Sequence, residues 1–210
     1  MVDVLIADDH ALIREGLKKI LKNGNILQVV AEACNVVEMM KKLENTKVDV
    51  IVLDISMPGM SGLEAIKEIK RYYPKIPILI LSIHPEERFA LRAIRAGASG
   101  YITKHCATDE LTKAIEMVHH KQKYISKKLT QRLLYELGES EKKEAYEYLS
   151  DREFEILIKI ALGEGAQKIS NELNIATSTV NTYRQRILEK LNLSSTAELI
   201  RYAIEHKLID

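Results

Sequence analysis

Five polar side chains in the first half of the sequence come directly after short apolar runs. Asp8 and Asp9 follow the first run and Asp54 follows the third, whereas Ser82 closes the fourth and Lys104 comes shortly after the fifth. Crowded carboxylates repel one another unless a cation neutralises them, and Mg²⁺ prefers hard oxygen ligands of this kind. If the five groups meet in space, they predict a magnesium site with a neighbouring hydroxyl and amine.

Such a set of groups is suited to phosphoryl transfer onto a carboxylate. A carboxylate can act as the nucleophile, a metal ion can offset the developing charge, and an ammonium and a hydroxyl can contact the other oxygens. Asp54 is the best candidate for the nucleophile, because it is central and precedes the turn MPGMSG at 57–62. A single Asp at a strand end more often caps the next helix, so the prediction depends on the whole set.

Two alternating patterns in residues 1–120 indicate the elements that must position these groups. Apolar runs at 4–7, 27–33, 50–53, 78–81 and 99–102 predict strands, and amphipathic stretches at 12–21, 36–43, 62–73, 86–97 and 108–120 predict helices. This alternation predicts an α/β domain with a five-stranded, doubly wound parallel sheet. In such sheets ligands bind beyond the carboxyl ends of the strands, where the five polar groups would lie.

The pattern changes after residue 120, and we predict a second domain. Residues 121–147 are mostly polar and predict a linker that is partly helical. Only helical patterns follow, at 151–162, 166–173, 178–191 and 196–207, so residues 148–210 predict a small all-α domain. The predicted boundaries are therefore 1–120, 121–147 and 148–210.

Residues 166–191 have the outline of a helix-turn-helix, the unit whose second helix enters the major groove of DNA. Asn181, Arg184 and Gln185 are spaced to share one helix face, and their side chains can bond base edges. The apolar residues that would form the opposite, core-facing stripe are Val180, Ile187, Leu188 and Leu191. An adaptor whose helices bind a partner protein has the same outline and is the competing interpretation.

Composition limits the remaining classes. Hydrophobic residues make up 46% of the 210 positions, which supports real cores, and the net charge is only +1. A DNA surface must therefore come from local clustering of charge. The two cysteines, Cys34 and Cys106, are too far apart to indicate a zinc site or a disulfide framework. No run is long enough to span a membrane, and the acidic start MVDVLIADDH is unlike a secretory signal, so we expect a cytoplasmic protein.

The motifs of the first 120 residues are those of a known family. The pair Asp8–Asp9, Asp54 followed by MPGMSG, Ser82, and AGASGYITK at 96–104 resemble the flavodoxin-like receiver domain of bacterial two-component response regulators. The resemblance implies that Asp54 accepts phosphate from a sensor histidine kinase. It also implies that Mg²⁺ is bound by Asp8, Asp9, Asp54 and the backbone carbonyl of Ser56. Ser82 and Lys104 would contact the phosphoryl group, and Tyr101 would be the switch residue.

Four motifs in residues 148–207 resemble the LuxR-type helix-turn-helix of the NarL/FixJ subfamily. They are LSDREFEIL at 149–157, KISNEL at 168–173, STVNTYRQRILEKL at 178–191 and TAELIRYAIEH at 196–206. The resemblance implies four helices, of which the third reads DNA and the last often pairs two copies, so that a phosphorylation-dependent homodimer is expected. The implied DNA contacts are Thr177, Ser178, Thr179, Asn181, Thr182, Arg184, Gln185 and Arg186.

This sequence departs from the subfamily pattern at three positions near that third helix. The subfamily often has Lys at position 181 and His at position 183, where this chain has Asn181 and Tyr183. The base preference therefore cannot be carried over. Ala176 stands where Ser or Thr commonly caps the helix, so we expect either that Thr177 caps it or that its end frays.

An enzyme that uses an aspartyl-phosphate intermediate is the alternative from another class. Phosphatases of the haloacid dehalogenase type place a second Asp, the general acid, two residues after the nucleophile. That position is Ser56 in this chain, and a serine cannot supply the proton. We therefore expect a regulator that is not an enzyme.

Overall fold

The chain folds into two compact units, Met1–Leu133 and Leu134–Asp210. The structure is a computed structural model that describes residues 1–22, 26–105, 108–127, 129–131, 133 and 144–209. Within these described residues no helix has the length and hydropathy required to cross a membrane. The predicted boundaries at 120 and 147 remain predictions. Part of the predicted, partly helical linker, namely residues 128, 132 and 134–143, lies outside the described ranges.

The first unit contains a five-stranded parallel sheet, which confirms the predicted fold class. The strand order is β2-β1-β3-β4-β5, so the order reverses between β1 and β3. The strands are β1 (Val2–Ala7), β2 (Leu27–Ala33), β3 (Val50–Leu53), β4 (Ile78–Ser82) and β5 (Gly100–Thr103). The helices are α1 (Ala11–Lys22), α2 (Val36–Asn45), α3 (Gly62–Tyr72), α4 (Glu86–Ala96) and α5 (Thr108–His119).

The central strands β3 and β4 are buried on both faces, as their uninterrupted apolar sequences require. Val50 and Val52 of β3 join a core cluster with Leu17 of α1 and Ile115 of α5. Ile51 alternates with them along β3 and is also fully buried, so it faces the opposite side of the sheet. A rigid strand of this kind fixes the position of any residue that follows it, which is why the carboxyl ends of the strands can hold a precise site.

Residues 144–209, the described part of the second unit, form helices and their connections, as predicted. A short 3₁₀ helix (Ala145–Tyr148) precedes α6 (Asp151–Ala161), α7 (Ala166–Leu173), α8 (Thr177–Leu191) and α9 (Thr196–Glu205). A capping box starts α6, in which Ser150 accepts a hydrogen bond from the Glu153 amide and the Glu153 carboxylate accepts one from the Ser150 amide. Asn174 and Asn192 end α7 and α8 in the left-handed conformation that Asn tolerates well.

Candidate functional site: a carboxylate pocket and an exposed helix face

The backbone carries the hydrogen-bonding ladder one residue past the strand ends in the first unit. The Asp54 amide donates to the Ala7 carbonyl at 2.8 Å, and the Lys104 amide donates to the Ser82 carbonyl at 2.7 Å. These bonds align the residues that follow β1, β3 and β5 at one edge of the sheet. The side chains of Asp8, Asp54 and Lys104 consequently project into a common space.

Lys104 joins the ends of three strands at one point. Its Nζ atom lies 2.7 Å from Oδ2 of Asp54 and 2.7 Å from Oδ2 of Asp8. Both carboxylates are only 2% exposed, and the Lys104 side chain is 8% exposed. The structure thus brings together three of the five polar groups that the sequence singled out, in a pocket largely closed to water.

The charges of this pocket do not balance. Burial raises the pKa of the Asp54 carboxyl, although Lys104 and the Ser56 amide act in the opposite direction. Burial alone would lower the pKa of Lys104, but the neighbouring Asp54 and Asp8 outweigh it and the pKa is raised. One ammonium faces two buried carboxylates, so the pocket keeps a surplus of negative charge that a further cation can neutralise.

The acidic groups are spaced to hold a metal ion. Ligand atoms from Asp8, Asp9, His10 and Asp54 all lie within 4.8 Å of one another. Nδ1 of His10 is engaged by the Asp9 carboxylate at 2.8 Å, and a ring nitrogen is a poor ligand for a hard cation. The three carboxylates form an oxygen donor set that fits a divalent cation. Ser56 lies beside them, because its amide donates to Oδ1 of Asp54 at 3.1 Å.

Ser82 and Tyr101 both contact the backbone of His84. Ser82 is fully buried, and its hydroxyl accepts a hydrogen bond from the His84 amide at 3.1 Å. Tyr101 is 3% exposed, so its ring points inward, and its hydroxyl donates to the His84 carbonyl at 2.9 Å. Burial raises the pKa of Tyr101 far above its usual range, which keeps the phenol protonated as a donor.

His84 links two loops of the site through contacts that the sequence motifs did not predict. Its Nε2 atom lies 3.2 Å from the Ser56 hydroxyl, and its ring packs against Phe89 with the ring centres 4.7 Å apart. The residue therefore connects the loop after β3 with the loop after β4. Its position two residues beyond Ser82 was the available signal, but a pattern of residue types does not show which groups a side chain will bridge.

The helix α8 presents a polar face to solvent and an apolar face to its own unit. The predicted apolar stripe is confirmed, because Val180, Ile187, Leu188 and Leu191 are all buried. Of the predicted DNA contacts, Thr177 and Thr179 are half-buried and the others are exposed, namely Ser178, Asn181, Thr182, Arg184, Gln185 and Arg186. This arrangement leaves a continuous polar surface for a partner.

Several side chains on that face are already engaged. Arg184 donates to the Thr196 hydroxyl at 3.1 Å, which ties it to the start of α9. Gln185 donates to Glu189 at 3.2 Å. The expectation that Thr177 caps the helix is wrong, because Ala176 is the N-cap and the Thr177 hydroxyl donates to Gln167 instead. The neighbouring helix α7 thus supplies the acceptor for this hydroxyl, in place of the backbone amides of α8.

Two family models match this chain. The first, the response regulator receiver domain, covers residues 4–116, more than half of the sequence. The chain belongs to the response regulator family. The second model, bacterial regulatory proteins of the luxR family, covers residues 147–203. This response regulator therefore combines a receiver with a LuxR-type helix-turn-helix, as the motifs predicted.

Relatives of this response regulator match it over nearly its whole length. Response regulator GacA of Pseudomonas viridiflava is 38% identical over 211 residues, covering 100% of this chain and 99% of GacA. Response regulator UvrY of Escherichia coli K12 is 38% identical, covering 99% and 96% of the two chains. A structure of RcsB from Salmonella enterica, bound to promoter rprA with the phosphomimetic BeF3⁻, matches with a TM-score of 0.64 at 25% identity, covering 96% and 98%. These proteins support membership of the NarL/FixJ subfamily.

Proposed function

We propose that this response regulator accepts a phosphoryl group on Asp54 from a sensor histidine kinase and then regulates transcription by binding promoter DNA through α8. The observation that carries the first half is the position of Lys104 Nζ, 2.7 Å from both Asp54 and Asp8. In the domain assignment that goes with it, residues 1–120 receive the signal, 121–147 are the linker, and 148–210 bind DNA.

The transfer itself requires little from the protein besides position and charge. An oxygen of Asp54 forms the bond to phosphorus while the bond between phosphorus and the kinase histidine breaks, so the imidazole leaves. The Ser56 amide holds the carboxylate in place before transfer. Lys104 is close enough to Asp54 to contact a phosphoryl oxygen afterwards, and the Ser82 hydroxyl can donate to another.

The acidic group supports Mg²⁺ as the ion at this site. Asp8, Asp9 and Asp54, with the backbone carbonyl of Ser56, would hold it, and the three carboxylates present suitable oxygens within 4.8 Å of one another. When bound, Mg²⁺ supplies charge that stabilises the oxygens of the transferring group. The proposed role of Asp8 and Asp9 is to bind this ion, whereas Lys104 prevents the unligated carboxylates from repelling one another.

Phosphorylation would change which partners the switch residues have. A phosphoryl group adds negative charge and acceptor oxygens, and the Ser82 hydroxyl and Lys104 follow that charge. Ser82 then no longer accepts from the His84 amide, and Tyr101 repacks because its own acceptor is the His84 carbonyl. The surface of α4, β5 and α5 would change as a result, and a modest free energy suffices to shift such an equilibrium.

The exposed face of α8 is the proposed DNA surface. The contacts proposed are Thr177, Ser178, Thr179, Asn181, Thr182, Arg184, Gln185 and Arg186. Asn181 is exposed, and no other described side chain bonds to it, so its amide is available to a base edge. Because Arg184 is held by Thr196, we assign it a phosphate contact. RcsB is bound to a promoter in a related structure, and a phosphorylation-dependent homodimer on paired half-sites would raise the affinity of a nearly neutral chain.

Retardation in phosphate-affinity gels tests the phosphoacceptor directly. Incubated with acetyl phosphate and Mg²⁺, the wild type should be retarded, and Asp54→Ala should not. Chelation of Mg²⁺ should abolish the retardation of the wild type. Equal retardation of both proteins would remove Asp54 from its proposed role.

Two substitutions on α8 separate DNA reading from a protein-adaptor role. Asn181→Ala should change which bases are preferred among DNA fragments selected from a random pool. Arg186→Ala should weaken binding to all fragments alike, and it should lower the slope of log affinity against log salt concentration by about one. Binding without sequence preference in the wild type would instead favour the adaptor interpretation.

A further inference from the structure

Residues 122–126, which we call the edge strap, run along the outer edge of β5. The Tyr124 amide donates to the Ser99 carbonyl at 3.0 Å, and the Tyr101 amide donates to the Tyr124 carbonyl at 3.0 Å. Tyr124 therefore forms a parallel bridge with Gly100. A Cβ atom at Gly100 would lie 2.8 Å from the Tyr124 carbonyl oxygen, so glycine is what allows the strap to approach this closely.

Side chains hold the edge strap at three further points. Near its start, Nζ of Lys123 donates to the Ala98 carbonyl at 2.6 Å. In its middle, the Tyr124 hydroxyl donates to the Glu110 carboxylate of α5 at 3.0 Å. At its end, the Ser126 amide donates to the Glu86 carboxylate at 3.1 Å. The strap is thus attached to β5, to α5 and to the start of α4, the elements of the proposed switch surface.

A five-residue segment connects the strap with the phosphorylation pocket. At one end the Ser82 hydroxyl accepts from the His84 amide, and at the other the Glu86 carboxylate accepts from the Ser126 amide. Tyr101 contacts both systems, because its hydroxyl bonds to His84 and its amide bonds to the strap. A shift of this segment would displace Glu86 as well, because only three residues separate it from Ser82, and it would strain the Glu86–Ser126 bond.

We propose that the edge strap couples the phosphorylation pocket to the linker, and that phosphorylation loosens it by breaking the bond between Glu86 and Ser126. The inference rests on the proposed phosphorylation of Asp54. When the Ser82 hydroxyl turns to a phosphoryl oxygen, the His84 amide loses its acceptor and the 83–86 loop moves. The residues that follow the strap lead to the second unit. Release of the strap from β5 would therefore lengthen the linker between the two units.

Hydrogen exchange of the full-length protein, with and without the phosphoryl analogue BeF3⁻, measures this coupling. Binding of BeF3⁻ should speed the exchange of the strap amides by about five-fold or more in the wild type, which is the lower end of the range of allosteric couplings. In Glu86→Ala the strap amides should exchange rapidly even without BeF3⁻. The addition of BeF3⁻ should then change their exchange rate little. Glu86→Gln, which keeps an acceptor oxygen, should behave more like the wild type.

Glu87→Ala is the matched control, because it removes the adjacent carboxylate of the same helix turn. It should respond as the wild type does, and all four proteins should be retarded equally in phosphate-affinity gels after acetyl phosphate treatment. The strap inference would be overturned if Asp54 were fully modified and the exchange of the strap amides did not change. It would also be overturned if the strap amides of Glu86→Ala responded to BeF3⁻ as those of the wild type do. If the wild type is not labelled at Asp54, the proposed function itself fails.

Discussion

Each unit of this response regulator buries a cluster of opposite charges, and the two clusters differ in their balance. In the receiver, the Lys104 ammonium faces two carboxylates, those of Asp8 and Asp54. In the second unit, Arg152 pairs with Glu155 at 2.7 Å, and both side chains are almost fully buried. Arg152 also donates to the Leu173 carbonyl at 3.1 Å, which joins α6 to the end of α7.

The difference separates a cluster that serves folding from one that serves a ligand. A balanced pair with its hydrogen bonds made has nothing to gain from an added ion. The receiver cluster has a surplus carboxylate, so it gains from a divalent cation and from a cation-bound phosphoryl group. Our hypothesis is that this surplus costs the receiver stability, as is common where a site is built for function. Two substitutions in the receiver test this hypothesis, and two in the second unit test the contrasting role of its buried charges.

Arg152→Met should have the largest effect on stability. It leaves the Glu155 carboxylate buried without its cation, which typically lowers the free energy of unfolding by about 3–5 kcal/mol. Hydrogen exchange of the α6 amides measures the loss in that unit alone. Mg²⁺ should not restore it, and the double variant with Glu155→Leu should recover part of it. A loss below about 1 kcal/mol would show that the pair contributes little.

Lys104→Met should lower the free energy of unfolding of the receiver by about 2–3 kcal/mol in Mg²⁺-free buffer, because Asp8 and Asp54 then repel without a counter-charge. Millimolar Mg²⁺ should restore much of the loss, since a ligand that binds only the folded state stabilises it. Lys41→Met, at an exposed position, is the control. A loss that Mg²⁺ leaves unchanged would mean that the two clusters do not differ as we argue.

Glu153 should make the stability of the second unit depend on pH. Burial raises the pKa of its carboxyl, but the Lys190 ammonium and the Ser150 capping bonds outweigh burial and the net pKa is lowered. Its contribution is therefore full above the unfolded pKa of about 4.3 and is lost as pH falls through the lower folded value. Glu153→Gln should cost about 1–2 kcal/mol at neutral pH.

Urea titrations between neutral pH and pH 3 measure this contribution. The difference between wild type and Glu153→Gln should shrink toward the acid end, whereas Glu205→Gln, on the exposed end of α9, should show little difference at any pH. A Glu153→Gln cost that is constant with pH would indicate lost packing rather than lost charge.

Asp54→Asn should have the smallest effect on stability, and its sign is the informative part. Burial raises the pKa of Asp54, so above that pKa its ionised form destabilises the folded state. Removing the charge leaves Asp8 and Lys104 as a balanced pair, and in Mg²⁺-free buffer the free energy of unfolding should stay equal or rise by up to about 1 kcal/mol. Thermal unfolding measures it. A clear decrease would mean that Asp54 is a stabilising residue.

The sequence predicted the elements of the pocket because strands buried on both faces leave a strong signal. Apolar runs such as 50–53 ended at polar residues, and parallel strands must end at the same edge. The hydrogen bonds of His84, which connect the two loops at that edge, follow from side-chain rotamers that residue types do not encode. The inward orientation of the Tyr101 ring likewise depends on tertiary packing, which residue types do not encode.

The second unit teaches the same lesson. The spacing of Asn181 and Arg184 predicted a shared exposed face, and both side chains are exposed. That Arg184 bonds Thr196 depends on where α9 begins relative to α8, which is a tertiary feature. The position of residues 122–126 on the edge of β5 has a similar origin, because a single bridge to Gly100 produces no periodic pattern.

Chemical trapping of the acyl phosphate tests the central claim most directly. Borohydride reduces an aspartyl phosphate to homoserine with loss of phosphate, and peptide mass spectrometry then locates the modified residue. After treatment with acetyl phosphate and Mg²⁺, we expect homoserine at position 54 and a strong decrease when Mg²⁺ is chelated. Homoserine at position 8 or 9, or a labelled protein with an unmodified Asp54, would contradict the account.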